Sequence, residues 1–276
     1  MKLSIAISPC PNDTFIFYGL ICGKIKIPGV DFDFHFMDIE ELNLGAINQQ
    51  YDVCKISFAL APEIANNYDM LTAGSALGLG CGPILITPHQ LPYQLLEDNR
   101  IAVPGKHTTA YFLFNHFYPQ HKNITQILFS TIEEQLQKNK FDAGVIIHES
   151  RFTFKEKGLS QLVDFGELWT AKYHLPIPLG GIAISTNIAD ELKSLVNLAI
   201  RQSIEYTYQN KTETLSFCSK YAQEMSPKVM LEHINLYVNQ YSVNLGDDGK
   251  AAIVKLFETK TNKNSCNFTT SIKFID

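Results

Sequence analysis

The chain has 276 residues, 45% of them hydrophobic and 18% charged, with 23 Lys plus Arg against 28 Asp plus Glu. That is enough for a large core, as one large domain or two of ordinary size, and a formal charge of -5 argues against non-specific nucleic-acid binding. No run approaches the length that spans a bilayer, and six scattered Cys without a C-x-x-C pair read as free thiols of a reducing compartment.

Leu3–Ser8 is a short apolar strand. The first stretch, Met1–Ser8, has one Lys and a short apolar run and is too short for a signal-peptide core, so a cytoplasmic location is expected. Pro9-Cys10-Pro11-Asn12-Asp13 makes a rigid turn. Asn12 or Asp13 then caps a helix over Thr14–Cys22, which Gly23 ends. Asp31–Met37 alternates as a strand, Ile39–Ile47 is helical, and the strand Asp52–Ile56 leads through Ser57 into a short helical piece. Repeated strand–helix alternation predicts a mostly parallel sheet covered on both faces. Ala73–Pro83, with Gly74, Gly78, Gly80 and Gly82, reads as a hinge or a ligand-facing loop.

Ile84–Thr87 and Ile101–Val103 are strands, and Thr108 or Thr109 caps the helix Ala110–Tyr118. Ser130 with Glu133 has capping-box spacing and opens a helix over Thr131–Lys138. Phe141–Ile147 is a strongly apolar strand, followed by His148. Leu175–Gly181 breaks the pattern with two prolines and two glycines before the apolar Ile182–Ile184. Asn187 opens the longest helix, with Leu192, Leu195, Val196, Ala199, Ile200 and Ile204 as its buried stripe. Ser226-Pro227 starts another, with Val229, Met230, His233, Ile234, Tyr237 and Val238 on the apolar side. The last segment reads as surface structure ending in an extended piece. The expected organisation is two-lobed α/β: a discontinuous larger lobe of residues 1–83 and 176–276, and a smaller lobe of residues 84–175.

Three places have residues suited to chemistry. Ser8–Thr14 turns a strand end into a helix start, where free N–H groups and the helix dipole favour an anion. Thr14 adds a hydroxyl there, although an ordinary capped turn has the same sequence. Gly105–Ala110 is a second helix start with two hydroxyls; it lacks the spacing of a nucleotide-phosphate loop. Two such starts in two lobes suit a clamshell that closes on a small anion. At Ile146–Arg151 an ionisable cluster begins where an apolar strand ends, the place where open α/β sheets bind ligands. His148 is the side chain there that can take and return a proton near neutral pH, and Glu149 or Arg151 can orient it or pair with each other. His233, on an apolar helix face, reads as a hydrogen-bonded core residue. Cys10 has no His nearby in sequence. No metal is expected, because histidine-pair, cysteine-pair and calcium-loop spacings are missing. Gly78-x-Gly80-x-Gly82 leads into Pro83 and a strand and so is no dinucleotide loop. Asn12-Asp13-Thr14 and Asn267-Phe268-Thr269 match the glycosylation pattern.

Ser8-Pro9-Cys10-Pro11-Asn12-Asp13-Thr14-Phe15, Gly74-Ser75-Ala76-Leu77-Gly78, Thr108-Thr109-Ala110, the run Asp142–Arg151 and Pro176–Gly181 together resemble the 1,4-dihydroxy-6-naphthoate synthase family of the futalosine route to menaquinone. The resemblance covers almost the full chain. It implies a two-lobed, type II periplasmic-binding-protein-like fold with a central ligand cleft. It also implies a carbon–carbon lyase that splits cyclic dehypoxanthine futalosine into 1,4-dihydroxy-6-naphthoate and a small sugar-derived fragment, with no metal or organic cofactor. His148 matches the catalytic base. The expected substrate contacts are Thr14, Lys55, Ser57, Ser75, Thr108 and Thr109. Partners are limited to a small anionic substrate, without nucleic acid or membrane insertion, and a homodimer is admitted. The competing class is a non-catalytic solute-binding protein of the same fold, disfavoured by the missing export signal and by a proton-transfer residue at a strand end.

Overall fold

Strand and helix alternate from the first residues. β1 (Lys2–Ile7), α1 (Pro11–Ile21), β2 (Asp31–Phe36), α2 (Ile39–Ile47), β3 (Val53–Ser57), α3 (Ala61–Ile64) and β4 (Tyr68–Gly78) come in that order. This computed structural model describes residues 1–222, 226–264 and 272–276. Next come β5 (Ile84–Thr87), β6 (Ile101–Val103), α4 (Thr109–Phe117), β7 (Ile124–Gln126), α5 (Ile132–Gln137), β8 (Ala143–Ile146), α6 (Ser150–Thr153), β9 (Ser160–Asp164) and α7 (Phe165–Tyr173). β10 (Ile177–Ser185) precedes the helices α8 (Asp190–Gln209), α9 (Lys211–Cys218), α10 (Pro227–Tyr237), α11 (Gln240–Val243) and α12 (Gly246–Asn264), and β11 (Phe274–Ile275) ends the chain. Two compact units result: Met1–Leu77 with Pro178–Asp276, and Gly78–Ile177.

In the first unit the strand order is β11-β4-β10-β3-β1-β2. β1 runs parallel to β2 and β3, whereas β10 is antiparallel to β3, with Gly180 opposite Ser57 and Ile182 opposite Lys55. Side chains from β1, α1, β10 and α8 share one apolar cluster, including Ile5, Ile7, Ile16, Phe17, Ile182, Val196, Ile200 and Ile204. Each such side chain is worth about 1.5–3 kcal/mol when removed from water. The second unit has its own sheet, in the order β7-β6-β8-β5-β9. β5 is antiparallel to both its neighbours there, while β6 is parallel to β7 and β8. Both sheets are therefore mixed.

Several local expectations change. The glycine-rich stretch from Ala73 lies inside β4 as far as Gly78, in a strand buried along its whole length. Packing demands those glycines: Gly74 has a φ of +83°, and a Cβ on it would lie 2.6 Å from Ile182 Cγ1. Pro178, Gly180 and Gly181, read as a break, likewise sit within β10, since a Cβ at Gly180 would meet the Ile56 carbonyl oxygen at 2.8 Å. α1 starts at Pro11, with Cys10 as an N-cap whose side chain makes no cap bond; Asn12 and Asp13 are already inside the helix. Ser130 and Glu133 form no capping box. Ser130 lies inside a 3-10 turn over Phe129–Thr131, so Thr131 takes the N-cap of α5 and Glu133 falls one residue short of the capping-box position. The Thr131 hydroxyl donates instead to the Leu128 carbonyl oxygen, and Glu133 pairs with Lys157. α8 begins at Asp190 rather than Asn187, and Leu195 of the expected stripe is exposed. The terminal segment contains the long helix α12, with Ala252, Ile253 and Leu256 fully buried.

Among the described residues no helix is long and apolar enough to cross a membrane. Cys10, Cys22, Cys54, Cys81 and Cys218 are free thiols, and only Cys22 of these is exposed. Cys266 and the pattern Asn267-Phe268-Thr269 lie outside the described residues.

Candidate functional site

In the first unit the end of β1 and the start of α1 are organised around Asp13. Its Oδ2 accepts from Ser8 Oγ at 2.7 Å and from Ser8 N at 3.3 Å, and its Oδ1 accepts from Asn12 Nδ2 at 2.8 Å. Lys55 Nζ, on β3, lies 2.9 Å from the same Oδ1. This helix start, read from sequence as a place for a foreign anion, therefore has a resident carboxylate in its first turn, where the helix dipole favours it. Thr14 is fully buried, and its hydroxyl is spent on the Cys10 and Pro11 carbonyl oxygens at 3.1 and 3.3 Å.

Lys55 and Ser57 are two residues apart on β3, so their side chains share one face. Lys55 Nζ also donates to the Gly74 carbonyl oxygen on β4 at 3.3 Å, and the missing side chain at Gly180 leaves room for its stem: a Cβ there would lie 3.1 Å from Lys55 Cε. An ammonium has three N–H donors, so Asp13 and Gly74 leave one in hand. Ser57 is held by Asn43 of α2, which accepts from Ser57 N at 2.9 Å and donates to Ser57 Oγ at 3.0 Å. The Ser57 hydroxyl acts there as an acceptor and keeps its own proton to give. Ser75, next to Gly74, is fully buried, and among the described residues its Oγ has no hydrogen-bond partner. Lys55, Ser57 and Ser75 thus each retain donor capacity with 4% exposure or less, the provision an acceptor-rich ligand requires.

Burying Lys55 with Asp13 costs several kcal/mol of desolvation per ion, and an apolar pair of similar volume often serves stability as well. The pair is better understood as a means of holding an ammonium in place. Sequence reading missed Asp13 in this role and missed Asn43 altogether. Both partnerships depend on strand register, and neither leaves a local motif.

In the second unit Thr108 is the N-cap of α4. Its Oγ1 accepts from Tyr111 N at 3.1 Å and donates to the Gly105 carbonyl oxygen at 2.7 Å. The hydroxyl proton is therefore already committed. Thr109 is the first residue of the helix and is buried.

His148 lies two residues beyond the apolar β8, and the strand ends at Ile146 rather than Ile147. Its backbone is left-handed, with a φ of 57°, uncommon for a residue with a side chain and informative when it occurs beside reactive groups. The imidazole meets the Phe129 ring edge-on at 4.8 Å between centroids. The segment after His148 is firmly tied. Ser150 Oγ donates to Glu133 Oε2 at 2.9 Å, and Lys157 Nζ lies 2.8 Å from the same oxygen. Arg151 donates to the Gly82 carbonyl oxygen at 2.7 Å and to Asp164 Oδ2 at 2.8 Å. Asp164 Oδ1 in turn accepts from Gly82 N at 2.9 Å and Gly166 N at 2.8 Å. Arg151 thus serves Asp164 as its ion-pair partner, a role not foreseen in the sequence, and Glu149 is buried.

Comparison with known proteins places these features. A 1,4-dihydroxy-6-naphthoate synthase of Thermus thermophilus is 38% identical over 255 residues, covering 92% of each chain. A crystal structure of a protein from Archaeoglobus fulgidus superposes with a TM-score of 0.90 at 30% identity, over 96% of this chain and 98% of that one. A Candida albicans protein with the generic periplasmic binding protein fold gives a TM-score of 0.68 at 15% identity, over 97% and 91%, a likeness of fold alone. The mixed α/β architecture is periplasmic-binding-protein-like. A family model described as menaquinone biosynthesis matches residues 3–261, and the chain accordingly belongs to the menaquinone-biosynthesis family.

Proposed function

We propose that the chain is a 1,4-dihydroxy-6-naphthoate synthase, a carbon–carbon lyase that converts cyclic dehypoxanthine futalosine. The observation that carries this reading is the 38% identity to the Thermus thermophilus synthase over 92% of both chains, an overlap that takes in both units. The reaction removes a proton from the cyclic part of the substrate, breaks a carbon–carbon bond and leaves an aromatic ring. Aromatisation supplies much of the driving force, so the protein must provide a base and donors for the oxygen on which charge develops.

His148 is the base in this reading. Its position just past a buried strand, with Ser150 and Arg151 anchored by Glu133 and Asp164, supports it, because a base must be held within about 3 Å of its proton. Lys55, Ser57 and Ser75 supply donors to the substrate's oxygens, and Thr109 adds a hydroxyl at the start of α4. Thr108 contributes mainly by building that helix start, and Thr14 by closing the first turn of α1. The substrate is a small anion, and the setting is the cytoplasm, with the protein acting alone or as a homodimer.

Incubation of the purified protein with cyclic dehypoxanthine futalosine, followed by mass and ultraviolet absorbance, tests the assignment. Appearance of 1,4-dihydroxy-6-naphthoate is expected. Tight binding of the substrate without conversion would instead mark a solute-binding protein on the same fold.

A further inference from the structure

His233 is almost fully buried on α10. Its Nε2 lies 2.9 Å from Asn12 Oδ1, a side-chain rather than a main-chain partner. Asn12 is the neighbour of Asp13 in the first turn of α1, and its Nδ2 donates to Asp13 Oδ1 at 2.8 Å. The same carboxylate oxygen receives Lys55 Nζ at 2.9 Å. The four side chains are exposed by 1% at His233, 7% at Asn12, 1% at Asp13 and 4% at Lys55, so each depends on the next for its hydrogen bonds.

Chemistry sets the direction of this chain. An ionised carboxylate only accepts, so Asn12 must turn its NH2 toward Asp13 and its oxygen toward His233. The imidazole must then donate from Nε2. With Asn12 fixed in that sense, Asp13 Oδ1 is shared between an amide and an ammonium. Ser8 Oγ and N hold Oδ2, so the carboxylate cannot swing toward Lys55. Lys55 is thereby kept where two of its N–H groups are engaged by Asp13 and Gly74 and the third is offered outward.

We infer that His233 is a positioning residue for Lys55, acting through Asn12 and Asp13. The inference rests on the reading of Lys55 as a substrate contact. Loss of the His233 donor leaves the buried Asn12 Oδ1 unsatisfied. The amide then shifts toward another donor, its Nδ2 hold on Asp13 Oδ1 loosens, and the Asp13–Lys55 contact loses its fixed geometry while Ser8 still anchors Oδ2.

The test is steady-state turnover of cyclic dehypoxanthine futalosine by His233→Leu, His233→Gln and Asn12→Ala, with His233→Leu also made in a Lys55→Met background. His233→Leu should raise KM about five- to twenty-fold with kcat within about two-fold, the scale of a lost supporting contact and its coupling. His233→Gln, whose amide can donate to Asn12, should restore most of the affinity. Asn12→Ala breaks the same chain from the α1 side and should raise KM similarly, which keeps the inference open to test if His233→Leu fails to fold. In the Lys55→Met background His233→Leu should have no further effect. An equal rise in KM in both backgrounds overturns the inference, as does an unchanged KM in His233→Leu beside a raised KM in Lys55→Met. An unchanged KM in Lys55→Met itself removes the substrate role of Lys55, and the inference falls with it.

Discussion

Replacing Asp164 by Asn should destabilise the unit Gly78–Ile177 and slow turnover together. Asp164 is buried and gathers three donors: Arg151 Nη2 at 2.8 Å, Gly82 N at 2.9 Å and Gly166 N at 2.8 Å. The two backbone donors share Oδ1, which an Asn oxygen can replace. The guanidinium uses Oδ2, where Asn would present an NH2 group. A charge-assisted hydrogen bond is worth about 1.5–3 kcal/mol net, and breaking a buried pair costs about 3–5 kcal/mol. Arg151 retains its bond to the Gly82 carbonyl oxygen and is less buried than its partner, so about 2–4 kcal/mol is expected. At about 2–4 °C per kcal/mol for a chain of this size, the melting midpoint should fall by about 5–15 °C. Calorimetry is the suitable assay, since two compact units need not melt as one. Arg151 lies three residues after His148, so kcat measured well below the new midpoint should also fall while KM changes little. A midpoint within about 1 °C of the parent protein, against the scale expected for a lost buried pair, would refute the anchoring role of this ion pair in the segment after His148.

Thr108→Val should cost about 0.5–2 kcal/mol by removing the α4 cap, visible as a lower urea midpoint, while substrate affinity in the native range drops only modestly because the Thr108 hydroxyl proton is already used. Gly74→Ala combines a left-handed backbone with a 2.6 Å approach to Ile182 Cγ1, and chemical denaturation should register a loss of about 1–3 kcal/mol. Partial burial pushes the Cys22 thiol up, with the Lys24 charge opposing the shift, but Cys22 is the exposed one of the described cysteines, so in native protein a maleimide reagent should modify it before the others. Burial pushes the Cys54 thiol up to about 12 and the Cys218 thiol up to about 11, so neither should react until the protein unfolds; rapid native labelling of Cys54, read by mass spectrometry, would contradict this.

Much of the local structure was legible where sequence and packing demand the same thing. β5 and β6 were readable as short apolar runs, and α2 has a true capping box in Asp38 and Glu41. The helix start at Thr108 was readable for the same reason. β4 and β10 were not, because glycine and proline normally interrupt strands; here Gly74 and Gly180 are required by the close approach of neighbouring strands. α12 was hidden by a polar composition in which Ala252, Ile253 and Leu256 carry the burial. His148 could be found at a strand end from pattern alone, whereas its left-handed backbone could not. The Lys55–Asp13 pair was invisible, because the register of neighbouring strands and one helix brings these residues together. Asp164 was equally hidden, having no neighbour in sequence that announces a bond to Arg151.

The role proposed for His148 is proton transfer in the lyase reaction. Single-turnover conversion of cyclic dehypoxanthine futalosine by a folded His148→Asn variant, at saturating enzyme, tests it most directly. The substitution should leave substrate binding near that of the parent protein and slow the chemical step by about 10²–10⁴, the usual contribution of a positioned acid–base group. The parent rate should rise with pH as the imidazole loses its proton, and this rise should vanish in the variant. Conversion by His148→Asn within a few-fold of the parent rate would contradict the account and place the base elsewhere.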